Sequence, residues 1–132
     1  MIGPNNGAFI WHELMSRDPD TSQRFYQEVA GLSVQTLGPE AGGYRLLIVD
    51  GRPIGGMTGP RPDSDRWPSG GPDGHWVAYF ASNDVDGGAA RTEALGGVVL
   101  VGPIDVPGTG RVAVLRDPDG ATFGLFAPSA TA

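Results

Sequence analysis

Glu13 is the residue of this chain best placed to do chemistry. It lies in FIWHELM, residues 9–15, a run that is otherwise apolar apart from His12. A carboxylate among apolar side chains costs free energy unless it is hydrogen-bonded, ion-paired or protonated. Such surroundings also favour its protonated form, which suits a group that takes up or releases a proton near neutrality. Two helpers are available in HWVAYFAS, residues 75–82, namely His75 and Tyr79. Either can steady a developing negative charge by donating a hydrogen bond. The expected chemistry is proton transfer on a bound small molecule, with Glu13 as general base or acid. The competing expectation is a structural one, in which Glu13 pairs with Arg45, Arg111 or a tyrosine, and each histidine is hydrogen-bonded at a sheet surface or strand end.

Other chemistries are excluded by what the chain lacks. It has no cysteine, so disulfides, thiolate metal sites and a cysteine nucleophile are absent. It has no lysine, since all nine basic residues are arginine, which removes Schiff-base chemistry and a P-loop. Its net charge of −6 argues against nucleic acid or an anionic membrane as partner, since both require a basic patch. No apolar run approaches the length of a membrane span. The first residues, MIGPNNGAFIW, lack the basic and apolar regions of a secretory signal, so a cytoplasmic location is the default expectation.

At 132 residues, 39% hydrophobic and 18% charged, the composition predicts one globular domain without metal or disulfide staples. Glycine (22) and proline (12) are scattered between apolar runs and read as turn punctuation. A strand is predicted over 8–15. Asp18-Pro19 starts a helix carrying Thr21, Phe25, Val29 and Leu32 at helical spacing, and Gly31 ends it. Strands follow over 32–37, 44–49 and 53–58, with Asp50-Gly51 as a turn. Residues 59–74, GPRPDSDRWPSGGPDG, form a connecting loop by composition. A strand over 75–82 comes next. Asp84 then caps a helix with Val85, Ala89, Thr92 and Leu95 on one face. Strands over 98–101, closed by Gly102-Pro103, over 111–116 and over 121–127 complete the chain, the last two joined by Asp117-Pro-Asp-Gly.

The second half thus repeats the first. Asp18 matches Asp84, Gly31 matches Gly96, Gly38-Pro39 matches Gly102-Pro103, and Gly56 matches Gly124, always 64 to 68 residues apart. Two such β-α-β-β-β modules, with WHELMSRDPDTSQRFY, HWVAYFASNDVDGGAARTEALGG and RVAVLRDPDGATFGLF in order, resemble the vicinal oxygen chelate superfamily of glyoxalases, bleomycin-resistance proteins and extradiol dioxygenases. The resemblance implies an α+β fold with one module over about 8–58, a connecting loop over about 59–74 and a second module over about 75–127. It implies that each curved sheet forms half of a cavity, and that a single-domain member pairs as a homodimer.

Metal-binding members of that superfamily carry His or Glu at one place on each of four cavity strands. Carried over, those places are Trp11, seven residues before Asp18, Val77, seven before Asp84, Gly124, four after Gly120, and its repeat partner Gly56. None of these side chains can ligate a metal. No metal and no cofactor are therefore expected. Alternation sends Trp11, Glu13 and Met15 to the cavity, with His75, Val77, Tyr79 and Ala81 from the second module, while His12 faces the other way. Gly56, Gly124 and Phe126 line the closing strands, and glycine is expected to leave room for a bulky guest. Trp67 in the connecting loop is the candidate lid residue.

The first functional expectation is a metal-independent small-molecule-binding protein of bleomycin-resistance type, holding an apolar or aromatic metabolite or antibiotic. The alternative is a cofactor-free isomerase, cyclase or lyase of secondary metabolism that uses Glu13. A metal-dependent glyoxalase or dioxygenase is the third.

Overall fold

A computed structural model describes residues 6–39, 43–59, 74–106 and 109–129. Among these the elements run β1 (Phe9–Met15), α1 (Pro19–Ala30), β2 (Ser33–Thr36), β3 (Arg45–Val49), β4 (Arg52–Thr58), β5 (His75–Ala81), α2 (Val85–Ala94), β6 (Val98–Val106), β7 (Gly110–Arg116) and β8 (Thr122–Pro128). The order β-α-β-β-β occurs twice, and the fold is α+β. Trp67 lies outside the described residues, as does nearly all of the glycine- and proline-rich connection. The chain divides into two compact units, Trp11–Trp76 and Met1–Ile10 with Val77–Ala132.

In the unit Trp11–Trp76 the strands lie in the order β2-β3-β4-β1. The pairs β2–β3 and β3–β4 are antiparallel, and β1–β4 is parallel. Antiparallel neighbours need only tight turns, and Asp50-Gly51 supplies one between β3 and β4. Both residues have positive φ, 51° and 74°, as a two-residue hairpin of this hand requires. A parallel pair needs a crossover, here provided by α1. Asp18 caps that helix, accepting from the Thr21 backbone N–H at 3.3 Å and the Thr21 hydroxyl at 2.7 Å. Gly31, at φ 73°, closes it by donating to the Gln27 carbonyl at 3.1 Å. Leu14, Leu47 and Met57 form the core under the helix, with Tyr26, Leu32 and Val34 packed against them. The helix spacing in the sequence is correct, but its stripe is not the buried one. Phe25 and Val29 are exposed, and Ser22, Gln23 and Tyr26 turn inward. Arg45 of β3 donates to Gln23 and to the exposed Asp20, both at 2.7 Å.

The other unit repeats the plan in the order β5-β8-β7-β6. Strands β5 and β8 are parallel, and β7 is antiparallel to both β8 and β6. Asp84 caps α2 through the Gly87 N–H at 2.9 Å. Val85, Ala89, Ala113 and Leu115 form the core beneath it. The Asp117 carboxylate accepts from the Asp119 and Ala121 N–H groups, both at 2.9 Å, which closes the β7–β8 turn. Leu95, expected on one face of α2 with Val85 and Ala89, stands at its C-terminus and is 74% exposed, while those two are buried. One further strand expectation is corrected. Gly102-Pro103 does not end β6, which runs on to Val106 while its register shifts between Val99 and Val101 and again between Val101 and Ile104. Proline cannot donate to a ladder, but β6 is the outer strand of this order and tolerates it. The first residues of the chain also belong here. Ala81 N donates to Ala8 O and Gly7 N to Ala81 O, both at 2.8 Å, and Phe9 stacks on Phe80 at 4.5 Å.

Candidate functional site

Strand β1 has two buried faces. Leu14 points into the core under α1, so Glu13 and Met15, its neighbours, point to the opposite face of the sheet. Glu13 is only 4% exposed. It pairs across β1–β4 with Gly56, which in turn pairs with Leu46 of β3. Glu13, Gly56 and Leu46 therefore form one row across the sheet, and Tyr44, two residues before Leu46, extends it. The Tyr44 hydroxyl donates to Glu13 Oε2 at 2.8 Å and accepts from Trp11 Nε1 at 3.1 Å. An indole N–H only donates, and a phenol has one proton to give. The direction of this relay is thus fixed, from Trp11 through Tyr44 to Glu13, and Glu13 Oε2 is its acceptor.

Tyr44 is the site residue that the sequence did not single out. It also changes the meaning of Gly56. A Cβ at that position would fall on the Tyr44 hydroxyl. The glycine makes room for the protein's own tyrosine, where a bulky guest was expected. Of the partners expected for Glu13 in the structural alternative, a tyrosine is the one found, Tyr44, while both arginines are committed elsewhere. Arg45 holds Asp20 and Gln23, and Arg111 holds Asp86 and Asp105.

The unit containing β5 to β8 shows the same device in apolar form. Tyr79 pairs with Gly124 as Glu13 pairs with Gly56, so Glu13 and Tyr79 are equivalent positions of the repeat, as are Trp11 and Val77. A Cβ at Gly124 would fall on the Tyr79 ring. Phe126 meets that ring edge-on at 6.4 Å. Val77 and Tyr79 are 1% and 2% exposed, and Ala81 is buried on the same face. His12 is exposed on the Leu14 side of β1, away from Glu13, and His75 is half-buried at the first residue of β5.

The four places where metal-binding relatives carry ligands do not fit that role. Trp11 and Val77 offer no lone pair, and Gly56 and Gly124 offer no side chain, while the space above each glycine is held by a tyrosine. Among the described residues no three His, Asp or Glu side chains gather as a metal site.

An open cleft of about 400 Å3 lies elsewhere, between the ends of β6, β7 and β8, lined by Asp105, Val106, Gly110, Arg111, Ala127 and Pro128 with Ser129. Arg111 forms a fork to both Asp86 oxygens at 2.8 Å and reaches Asp105 at 2.9 Å. The guanidinium holds the Asp86 carboxyl below its usual range, chiefly through their hydrogen bond, and Arg111 is itself pushed further up. Of the residues singled out in the sequence, Arg111 alone, named there as an expected partner of Glu13, lines this cleft.

Comparison with known proteins agrees with this architecture. The profile of the Glyoxalase/Bleomycin resistance protein/Dioxygenase superfamily matches residues 9–125. The chain belongs to that superfamily. It is 40% identical over 124 residues to CFP32 of Mycobacterium tuberculosis, a protein whose name carries the word glyoxylase, covering 93% of this chain and 45% of that protein. It is 37% identical over 128 residues to the anthracycline biosynthesis protein DauV of a Streptomyces species, covering 91% of this chain and 46% of that protein. The chain spans about half the length of these curated relatives. Among solved structures it resembles a variant of methylmalonyl-CoA epimerase from Streptomyces coelicolor in complex with 2-nitronate-propionyl-CoA. The TM-score is 0.60 at 25% identity, covering 95% of this chain and 99% of that one.

Proposed function

We propose that this chain binds a small organic molecule through its own side chains, without a metal ion, in the manner of the bleomycin-resistance branch of its superfamily. The observation that carries this reading is the Trp11–Tyr44–Glu13 relay, which occupies the row where Gly56 replaces a ligand. A polar anchor fixed by hydrogen bonds and flanked by aromatic and apolar side chains is what recognition of a largely apolar guest requires. Trp11, Met15 and Glu13 supply such a face in their own unit; Val77, Tyr79 and Phe126, with Gly124, are the equivalent, apolar positions of the other module. The relationship to an anthracycline biosynthesis protein supports an aromatic secondary metabolite as the guest. The test is native mass spectrometry of the purified protein after exposure to a small-molecule extract of the source organism. A ligand retained after chelator treatment supports the reading. A ligand lost with the chelator and restored by zinc, nickel or iron overturns it.

A second reading is favoured by the buried carboxylate itself. Glu13, held by a donor of fixed direction, transfers a proton on the bound molecule, which makes the chain a cofactor-free isomerase, cyclase or lyase. Recovery of the retained ligand unchanged supports binding. Its conversion by the native protein, and loss of conversion in Glu13→Gln, supports the enzyme. In either reading the protein works as a homodimer, which light scattering of the purified chain tests.

A further inference from the structure

We propose that the Asn6-Gly7 peptide is a site of spontaneous deamidation that the fold holds in check, and that conversion there releases the first residues of the chain from β5.

In an asparagine-glycine pair the backbone nitrogen of the glycine can attack the asparagine side chain. A bond forms from that nitrogen to Cγ, the Cγ–Nδ2 bond breaks, and the proton of the nitrogen leaves with the amide as ammonia. Water then opens the resulting succinimide to aspartate or isoaspartate. Glycine favours the ring because no side chain crowds the attacking nitrogen. In this chain Gly7 has a φ of 87°, a left-handed value that residues with a Cβ rarely adopt. The turn leading into β1 therefore calls for the very residue that makes Asn6 labile. Both residues are exposed, so water and hydroxide reach them.

Two hydrogen bonds oppose the reaction. Gly7 N donates to Ala81 O at 2.8 Å, which engages the proton that must leave before the nitrogen attacks. Asn6 Oδ1 accepts from Asn83 N at 3.0 Å, which fixes the amide whose carbon must swing onto that nitrogen. Ring closure requires both bonds to break. Ala81 N also donates to Ala8 O at 2.8 Å, and Phe9 stacks on Phe80 at 4.5 Å. Residues 6–9 are thus held to the end of β5 as one strap, and they open as one. The reaction proceeds from the opened strap. An isoaspartyl link then carries the main chain through the former side chain. The oxygen that met Asn83 becomes a main-chain oxygen, and the added methylene shifts Gly7 away from Ala81. The two bonds cannot both re-form, and the strap stays released.

The test incubates the full chain in mildly alkaline buffer with and without urea. Peptide mass spectrometry follows Asn6, and hydrogen exchange follows the Gly7 and Ala81 amides. Deamidation at Asn6 is expected to be at least about tenfold slower in the folded protein than in urea. That slowing is expected to match the exchange protection of the Gly7 amide within about threefold, because both reactions need the same opening. Phe9→Ala, which removes the stacked ring, is expected to speed conversion about threefold. After conversion the Ala81 amide is expected to exchange at least about tenfold faster. Equal rates with and without urea overturn the protection, and no conversion in urea overturns the site. A slowing unlike the protection of Gly7, or a rate unchanged in folded Phe9→Ala, overturns the strap as its cause. Unchanged exchange at Ala81 after conversion overturns the release. Should Phe9→Ala not fold, the measurements on the native chain decide the matter alone.

Discussion

Tyr44 carries more of the candidate site than any other single residue, because it satisfies two groups at once. Replacing it with phenylalanine keeps the ring and removes the hydroxyl, leaving buried Glu13 without that donor and the Trp11 indole without its acceptor. Tyr44→Phe is expected to cost about 1–3 kcal/mol of stability. Urea denaturation measures it, and the emission of Trp11 is expected to shift with it. Gly124→Ala is expected to cost about 1–3 kcal/mol as well, because the new methyl overlaps the Tyr79 ring. An unchanged denaturation midpoint there means that the ring moves aside at no cost. Glu13 was legible in the sequence because a lone carboxylate in an apolar alternating run is conspicuous. Tyr44 was not, and the reason is a bulge. From the Asp50-Gly51 turn, an unbroken ladder places Arg45 opposite Gly56. The register shifts between Leu47 and Ile48, so Leu46 meets Gly56 and Tyr44 joins the Glu13 face.

Helix termini were the most legible elements, since Asp18, Asp84 and Gly31 each act as their residue types predict. Asp18 also makes α1 sensitive to acid. Its carboxyl is held below the usual 3.8, first by the Thr21 hydroxyl and then by the Thr21 backbone N–H. The folded state therefore binds that proton more weakly than the unfolded chain. The contribution of the cap is present above about pH 4 and is lost as pH falls through the lowered value. Asp18→Asn is expected to make the melting temperature fall less steeply below about pH 4 than in the native protein, as thermal melts at successive pH values would record. Strand β6 was the least legible element. Gly-Pro ordinarily closes a strand, and only the position of β6 beyond β7 in the sheet lets it continue. The exposed stripe of α1 was misleading for a related reason. Periodicity marks a helix, but the side that turns inward is the one whose Tyr26 packs on Leu14, Leu47 and Met57.

For the molecule as a whole, the doubled β-α-β-β-β order could be read from the sequence because turn residues recur at nearly constant spacing. The two modules nevertheless diverge where chemistry is possible. One places a carboxylate, a phenol and an indole around Gly56, and the other places a phenol and apolar rings around Gly124. Duplication accounts for the scaffold, and divergence at equivalent positions, Glu13 against Tyr79, accounts for the difference in polarity. The opening strand gives this architecture a mechanical signature. Residues up to Ile10 are counted with one unit and residues from Trp11 with the other, while His75 and Trp76 stay with the first module's residues. Each body therefore owns a short piece of chain that the other's sequence half encodes. If the backbone is severed between residues 59 and 74, neither polypeptide holds everything needed for its own unit. Each fragment alone is expected to lack a cooperative melt, and an equimolar mixture to regain one, with circular dichroism as the readout. Two fragments that melt cooperatively on their own would mean that this sharing is dispensable.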